Sequence, residues 1–317
     1  MSNIELRISN VEGFHLGQEP GKGEGMREEA TDWLIGANGI VAGRPGGSWK
    51  RLGDYRYSVN GILREADGSL TVGASNGLWQ VPVDRSEMWV QLADETLTEV
   101  MALSHSLVGT VAGFPYGVAV SRIDEAGNPR WRSLTEHLRV NARFTNTILT
   151  DPDDPTRWIV GTEGGVIIGQ GNGESWEESD LNDSPVRALI HTGDSFLAGT
   201  DLKGLMQSRD GCRWESVDGV DEATFAVAVA GDRIIAGSEH GVVVRASEGS
   251  RIRTGPRALV RCLGVDPNDP DIWVAGTDPG GLWFTVDAGQ TWQNTGVVSR
   301  VRTIVVPEGG GRESGNL

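Results

Sequence analysis

Three arginines occupy one repeated position in this chain, within the segments PVRALI, LVRCLG and RVRTIV. They are Arg187, Arg261 and Arg302. A guanidinium group binds a carboxylate or a phosphate through two parallel hydrogen bonds, so three of them at one place would grip an anion or an acidic side chain. The other repeats have uncharged residues at this position: Asn60, Met101, Asn146 and Phe225.

Acidic residues follow a recurring glycine by two or three positions, and asparagines occupy that place in two further repeats. The set is Glu163, Asp201, Glu239 and Asp278, with Asn38 and Asn76. Two carboxylates at a suitable separation would serve a glycoside hydrolase or a carbohydrate-binding protein. The same carboxylates would equally form salt bridges with the arginines, and acidic residues are also favoured in turns. The sequence leaves these interpretations open.

The elements that position these residues are short strands in a repeat. A β-rich run ending in glycine, a short turn and a second glycine occur seven times, with the first glycine at positions 36, 73, 113, 161, 199, 237 and 276. The spacing of roughly 40 residues is that of a four-stranded propeller blade. In most units a tryptophan follows the next turn, and no segment has the periodicity of a long helix. We therefore predict an all-β, seven-bladed β-propeller of four-stranded antiparallel blades.

The two ends of the repeat region complement each other. The first unit, 33–52, lacks an innermost strand, and SRVRTIVVP at 299–307 is a strand without a blade. Joining them closes the ring and leaves no exposed sheet edge. We expect an N-terminal extension at 1–31, the propeller at 32–307 and a flexible tail at 308–317.

Antiparallel topology predicts where the candidate residues meet. The start of the innermost strand (A) and the turn between the second and third strands (B and C) lie on one face of a propeller, near the axis. The three arginines, Asn146 and the four carboxylates should therefore surround one mouth. Trp283 follows a B–C turn and is a candidate for partial exposure at the same place.

The segment TVDAGQTW, 285–292, resembles the Asp-box of BNR-repeat propellers, SxDxGxTW, with threonine in place of serine. SRDGCRW at 208–214 is a shorter copy. The resemblance implies the propeller fold and a structural role for Asp287 and Asp210. Sialidases of this superfamily use a tyrosine–glutamate pair, which cannot be placed here, and xyloglucan-hydrolysing members use two propellers. The photosystem II assembly-factor type is a lone seven-bladed propeller that binds through arginines, so the resemblance favours a non-catalytic scaffold for a protein or peptide.

Composition excludes several classes of function. The 44 acidic against 28 basic residues give a net charge of -16, which disfavours nucleic acid and anionic membranes. Lysine occurs only at 22, 50 and 203, which is typical either of a salt-adapted protein or of a GC-rich genome. The five histidines and two cysteines lack metal-ligand spacing, so we expect neither a metal nor a cofactor. Without a basic and apolar leader at the N-terminus, the sequence predicts a cytoplasmic protein.

Overall fold

A computed structural model of the chain describes residues 32–53, 55–83, 88–92, 98–123 and 129–308. The predicted extension at 1–31 and residues 309–317 of the predicted tail lie outside these ranges. The described residues form seven separate sheets, each of four antiparallel strands in the order A, B, C and D. The predicted seven-bladed β-propeller is confirmed.

Strand A of each blade lies nearest the axis, and strands B, C and D follow outward. From blade 1 to blade 7, strand A is β28 (Thr303–Val305), β4 (Val59–Arg64), β8 (Ala102–Ser106), β12 (Thr145–Thr150), β16 (Val186–His191), β20 (Thr224–Ala230) and β24 (Val260–Val265). Strand B is β1 (Trp33–Ala37), β5 (Leu70–Ala74), β9 (Gly109–Phe114), β13 (Trp158–Thr162), β17 (Phe196–Thr200), β21 (Arg233–Ser238) and β25 (Trp273–Thr277).

The outermost strand, D, has only two to four residues in five of the blades and is largely exposed there. Strand C is β2 (Gly39–Gly43), β6 (Gly77–Val81), β10 (Gly117–Ile123), β14 (Gly165–Gln170), β18 (Leu205–Ser208), β22 (Gly241–Arg245) and β26 (Gly281–Thr285). Strand D is β3 (Trp49–Leu52), β7 (Val90–Gln91), β11 (Pro129–Ser133), β15 (Ser175–Asn182), β19 (Glu215–Ser216), β23 (Arg251–Thr254) and β27 (Gln293–Asn294). One short helix, α1 (Val140–Arg143), is found among the described residues and precedes β12.

The C-terminal strand closes the ring as predicted. Strand β28 pairs antiparallel with β1, and Ile304 lies opposite Ile35. Blade 1 thus combines the two ends of the repeat region. The apolar core lies between adjacent blades, where Trp33, Trp158 and Trp273 of strand B are at most 1% exposed.

The recurring glycine of strand B allows adjacent blades to approach closely. A methyl group at Gly199 would lie 2.7 Å from the carbonyl oxygen of Thr224 in the next blade, and one at Gly237 would lie 2.7 Å from that of Val260. All seven glycines face a fully buried residue at or just before the next strand A: Val59, Val100, Thr145, Val186, Thr224, Val260 and Val301. The glycine is therefore required by blade spacing.

Two C–D turns show why the tryptophan motif recurs. In the turn after β26, the Asp287 carboxylate accepts hydrogen bonds from the Thr285 hydroxyl (2.7 Å) and the Thr291 amide (2.8 Å). The Trp292 indole donates to the Gly289 carbonyl (3.2 Å). Trp214 donates in the same way to Gly211 (2.9 Å) in the turn that contains Asp210. These aspartates are fully engaged in holding their turns.

Candidate functional site

A central cavity of about 510 Å³ opens where the seven strands A begin. Every residue at the repeated arginine position lines this cavity. In order around the axis these are Arg302, Asn60, Met101, Asn146, Arg187, Phe225 and Arg261, which we call the mouth ring. The sequence prediction that this position faces the axis agrees with the placement of all seven side chains.

A β-bulge turns these side chains toward the axis. In five blades the pairing of strand A with strand B skips one residue, for example between Val186 and Ala188. The skipped residues are Asn60, Asn146, Arg187, Phe225 and Arg261. An extra residue in one strand is unpaired and projects differently from its neighbours, so the bulge aims the mouth-ring side chain away from the inter-blade core.

Arg187 is held by two carboxylates from adjacent B–C turns. Its guanidinium donates to Asp201 at 2.9 and 2.5 Å, and to Glu163 at 2.5 Å. Glu163 also accepts a hydrogen bond from the Asn146 amide at 3.1 Å. The hydrogen bond to Asp201, followed by that to Glu163, raises the pKa of Arg187 above its ordinary value. Arg187 therefore stays charged, and its charge is already compensated.

Asp278 lies between two arginines of the neighbouring segments. Its carboxylate is 3.9 Å from Arg261 and 3.2 Å from Arg300. Arg300 was not among the predicted site residues, because the equivalent position in the other repeats never holds an arginine. Its position two residues before Arg302, at the start of the closing strand, could have indicated that it lies near the mouth ring.

Arg302 differs from the other two mouth-ring arginines. It lines the cavity and is half-buried, yet its side chain forms no ion pair with any described residue. Arg261 occupies the adjacent position in blade 7, and its 3.9 Å contact with Asp278 is too long for a hydrogen bond. The mouth ring therefore has one side with available positive charge, formed by Arg261 and Arg302.

Below the mouth ring the cavity wall is aliphatic. One residue from each blade contributes: Ile62, Leu103, Ile148, Leu189, Val227, Leu263 and Ile304. Cys262 also lines the cavity, and burial raises the pKa of its thiol to about 12. The thiol stays protonated near neutral pH and is not an activated nucleophile.

The remaining predicted site residues lie outside the cavity wall. Asp201 and Asp278 reach the mouth ring only through their arginines. The side chain of Glu239 is exposed and contacts none of the mouth-ring residues. Trp283 is half-buried, packs near Trp273, and donates its indole hydrogen to the Gly280 carbonyl at 3.0 Å. Trp283 therefore packs in the core but remains partly exposed.

Two carboxylates of the glycoside hydrolase alternative are bound to the same arginine. Glu163 lines the cavity, and both Glu163 and Asp201 bind Arg187. A glycosidase needs two carboxyl groups that reach the glycosidic bond, whereas these two bind one guanidinium. Within the described residues no group of three histidine, cysteine or acidic side chains could hold a metal, and no helix there is long and apolar enough to cross a membrane.

No protein-family model matches this chain, and no curated protein matches it. Solved structures do. The extracellular domain of a one component system from B. thetaiotaomicron superposes with a TM-score of 0.65 at 15% identity, covering 80% of this chain and 36% of that one. Sqt1 from Chaetomium thermophilum gives 0.58 at 16%, covering 78% and 74%. The computationally designed Ika8 protein gives 0.57 at 18%, covering 80% and 82%. At these identities the likeness shows the β-propeller fold.

These similar structures contradict the cytoplasmic location predicted from the sequence. The B. thetaiotaomicron structures are extracellular domains, of which this chain spans 36% to 38%. The prediction rested on the lack of a leader in the N-terminal residues, and such a lack is weak evidence when the same fold occurs as one part of longer extracellular proteins. The cytoplasmic location is withdrawn.

Proposed function

We propose that this propeller is a non-catalytic binding module that takes an acidic segment of a partner protein at the mouth ring. The observation that carries the proposal is a pair of adjacent arginines, Arg261 and Arg302. Arg261 has only a 3.9 Å contact with Asp278, and Arg302 has no ion pair with a described residue. A guanidinium that lines a cavity without a carboxylate partner favours the arrival of an anion.

The local charge balance favours one side of the ring for the proposed acidic group. Arg187 shares its charge with two carboxylates, so that side is net negative. Arg261 and Arg300 share the single carboxylate of Asp278, and Arg302 has no ion-pair partner among the described residues, so the opposite side is net positive. Because the whole chain carries -16, a positive mouth on an acidic surface would select where an acidic partner docks as well as how tightly.

The supporting context is a BNR/Asp-box type of repeat, which we also propose for this chain. Asp287 and Asp210 each accept backbone and hydroxyl hydrogen bonds within a C–D turn. The nearby tryptophans, Trp292 and Trp214, donate to the glycine carbonyl of the same turn. These contacts support a structural role for the motif.

Binding of a fluorescein-labelled oligoglutamate peptide, followed by fluorescence anisotropy at low salt, tests the proposal. We expect Arg302→Gln and Arg261→Gln to weaken binding about tenfold each, the effect of losing one charge-assisted hydrogen bond. Arg209→Gln is the matched control, because Arg209 is exposed in a C–D turn on the opposite face. Equal binding by the Arg302→Gln and Arg209→Gln variants, or no binding by the native chain, would overturn the proposal.

A further inference from the structure

A second cavity, of about 540 Å³, lies in blade 3 on the same face as the mouth ring. We call it the side pocket. Its wall includes Phe114 at the end of β9, Tyr116 of the B–C turn and Trp131 of β11. Glu136 and Arg143, from the segment that leads to β12, complete it. Arg143 lines the side pocket and the next residue, Phe144, lines the central cavity, so the two cavities are neighbours separated by this segment.

Both parts of the side pocket depart from the repeat. The B–C turn of blade 3 has Pro115 and Tyr116 where the other blades have an acidic residue or asparagine. The segment 134–144 contains α1, the one helix found among the described residues. In repeat proteins, departures of this kind are placed on loops of one face, often the face that binds.

Segment 134–144 is held in place by contacts with the blades on both sides. Ala142 of α1 is 1% exposed and belongs to the apolar cluster between blades 3 and 4. The amide of Glu163 donates to the Phe144 carbonyl at 3.0 Å. Segment 134–144 is therefore anchored at the core on one side and at the B–C turn of blade 4 on the other, so Arg143 has a fixed position.

Arg143 has no carboxylate partner among the described residues of this strongly acidic chain. Its Nη1 donates to the Glu136 carbonyl at a long 3.4 Å, and its buried Nε has no hydrogen-bond partner among the described residues. Partial burial of a cation without a partner is unfavourable, and an incoming carboxylate would relieve that cost.

Aromatic side chains form the rest of the pocket. Tyr116 is 69% exposed, an unusual position for a large ring on a B–C turn. Trp131 is half-buried and its indole donates to the Leu92 carbonyl at 3.4 Å, which fixes one edge of the ring. Phe114, 6% exposed, forms the buried part of the wall. Flat ligands stack favourably on such surfaces.

We infer that the side pocket binds an aromatic ring that carries a carboxylate, with the carboxylate on Arg143 and the ring against Tyr116 and Trp131. A free aromatic acid and the C-terminal aromatic residue of a peptide share this chemistry. Glu136 at the rim disfavours ligands with a second negative charge on that side. This inference does not depend on the function proposed for the mouth ring.

Calorimetric titration of the full chain with phenylacetate and with the peptide Gly-Gly-Phe tests the inference. At least one probe should bind, and its uncharged amide should bind at least tenfold more weakly. Tighter binding of phenylacetate identifies a free acid as the ligand type, and tighter binding of Gly-Gly-Phe identifies a peptide end. Arg143→Gln and Tyr116→Ala should each weaken binding at least tenfold.

Arg209→Gln is the matched control, because Arg209 is exposed in a C–D turn on the opposite face and its loss should leave binding of these probes unchanged. Tyr116→Ala alters an exposed side chain, so it keeps the test valid if Arg143→Gln fails to fold. The inference is overturned if neither probe binds, or if binding is the same for the acid and its amide or in the native chain and both pocket variants.

Discussion

At the level of single residues, the mouth-ring arginines differ in whether their charge is available. Arg187 makes bidentate contacts with Asp201 and also bonds Glu163. Arg302 has no such partner among the described residues, although it occupies the same repeat position. The fold places both arginines at the same repeat position, but only Arg187 has ion-pair partners among the described residues.

The pH dependence of stability tests the structural role of Asp287. Hydrogen bonds from the Thr285 hydroxyl and then from Thr291 lower the pKa of Asp287 from 3.8 to about 2. A carboxyl with a lowered pKa in the folded state stabilises the fold above its unfolded pKa and loses this contribution as pH falls toward the folded value. We expect Asp287→Asn to reduce the acid-induced fall in urea denaturation midpoint between pH 4 and pH 2.

Asp194→Asn provides the comparison, since Asp194 is exposed in an A–B turn of the same face. It should keep the acid sensitivity of the native chain. If the Asp287→Asn and native curves remain parallel from pH 4 to pH 2, the turn does not depend on the ionised carboxylate.

The residues of the mouth ring could be predicted from the sequence, but the ion pairs between its arginines and the carboxylates could not. The repeat placed Arg187, Arg261 and Arg302 on one face, because a period in sequence becomes a rotation about one axis. The ion pairs depend on side-chain rotamers. They also depend on Arg300, which has no arginine counterpart in the other repeats. Salt bridges with the arginines were one of the open interpretations for Glu163 and Asp201, and both carboxylates form such bridges with Arg187.

At the level of elements, the spacing between blades depends on the recurring glycine of strand B. We expect Gly199→Ala to destabilise the fold by roughly 1–3 kcal/mol, the usual cost of overpacking a core. The added methyl group would lie 2.7 Å from the backbone oxygen of Thr224, which belongs to the next blade and cannot move independently. Urea denaturation of the variant and the native chain measures this difference.

Gly47→Ala separates this effect from a general intolerance of alanine. Gly47 lies in the turn between β2 and β3, and a methyl group there would come no closer than 3.4 Å to another atom. Its free energy of unfolding should change by about 0.5 kcal/mol or less. Equal stability of the Gly199→Ala and native proteins would show that the blades can separate without cost.

The strands were predictable for a reason that does not extend to the bulges or to α1. A glycine, a turn and a second glycine recur, so seven weak signals reinforce one another. The bulge at Arg187 shifts the pairing by one residue, and no pattern in the residue types marks that shift. Helix α1 is a single turn without an amphipathic period, so the side pocket that it helps to form was invisible in the sequence.

At the level of the whole molecule, the net charge of -16 should make stability depend on salt. Mutual repulsion of surface carboxylates opposes the compact state, and salt screens it. We expect the thermal midpoint to rise by a few degrees between low and molar potassium chloride, a shift that corresponds to about 1 kcal/mol for a domain of this size.

Sodium chloride should act in the same way as potassium chloride, because screening depends on ionic strength. A midpoint that does not rise in either salt would contradict the prediction of salt adaptation and would leave a GC-rich genome as the explanation for the scarcity of lysine.

The pairing of β28 with β1 also has a consequence for how the protein is made. Strand β1 is synthesised before the other described strands and β28 after them, so the edge of blade 1 stays unpaired until the strands of all the other blades have been made. A nascent chain in this condition can pair with another nascent chain instead of with itself. The rate of translation and the spacing of ribosomes on the message therefore bear on the yield of monomeric protein, although neither affects the finished fold.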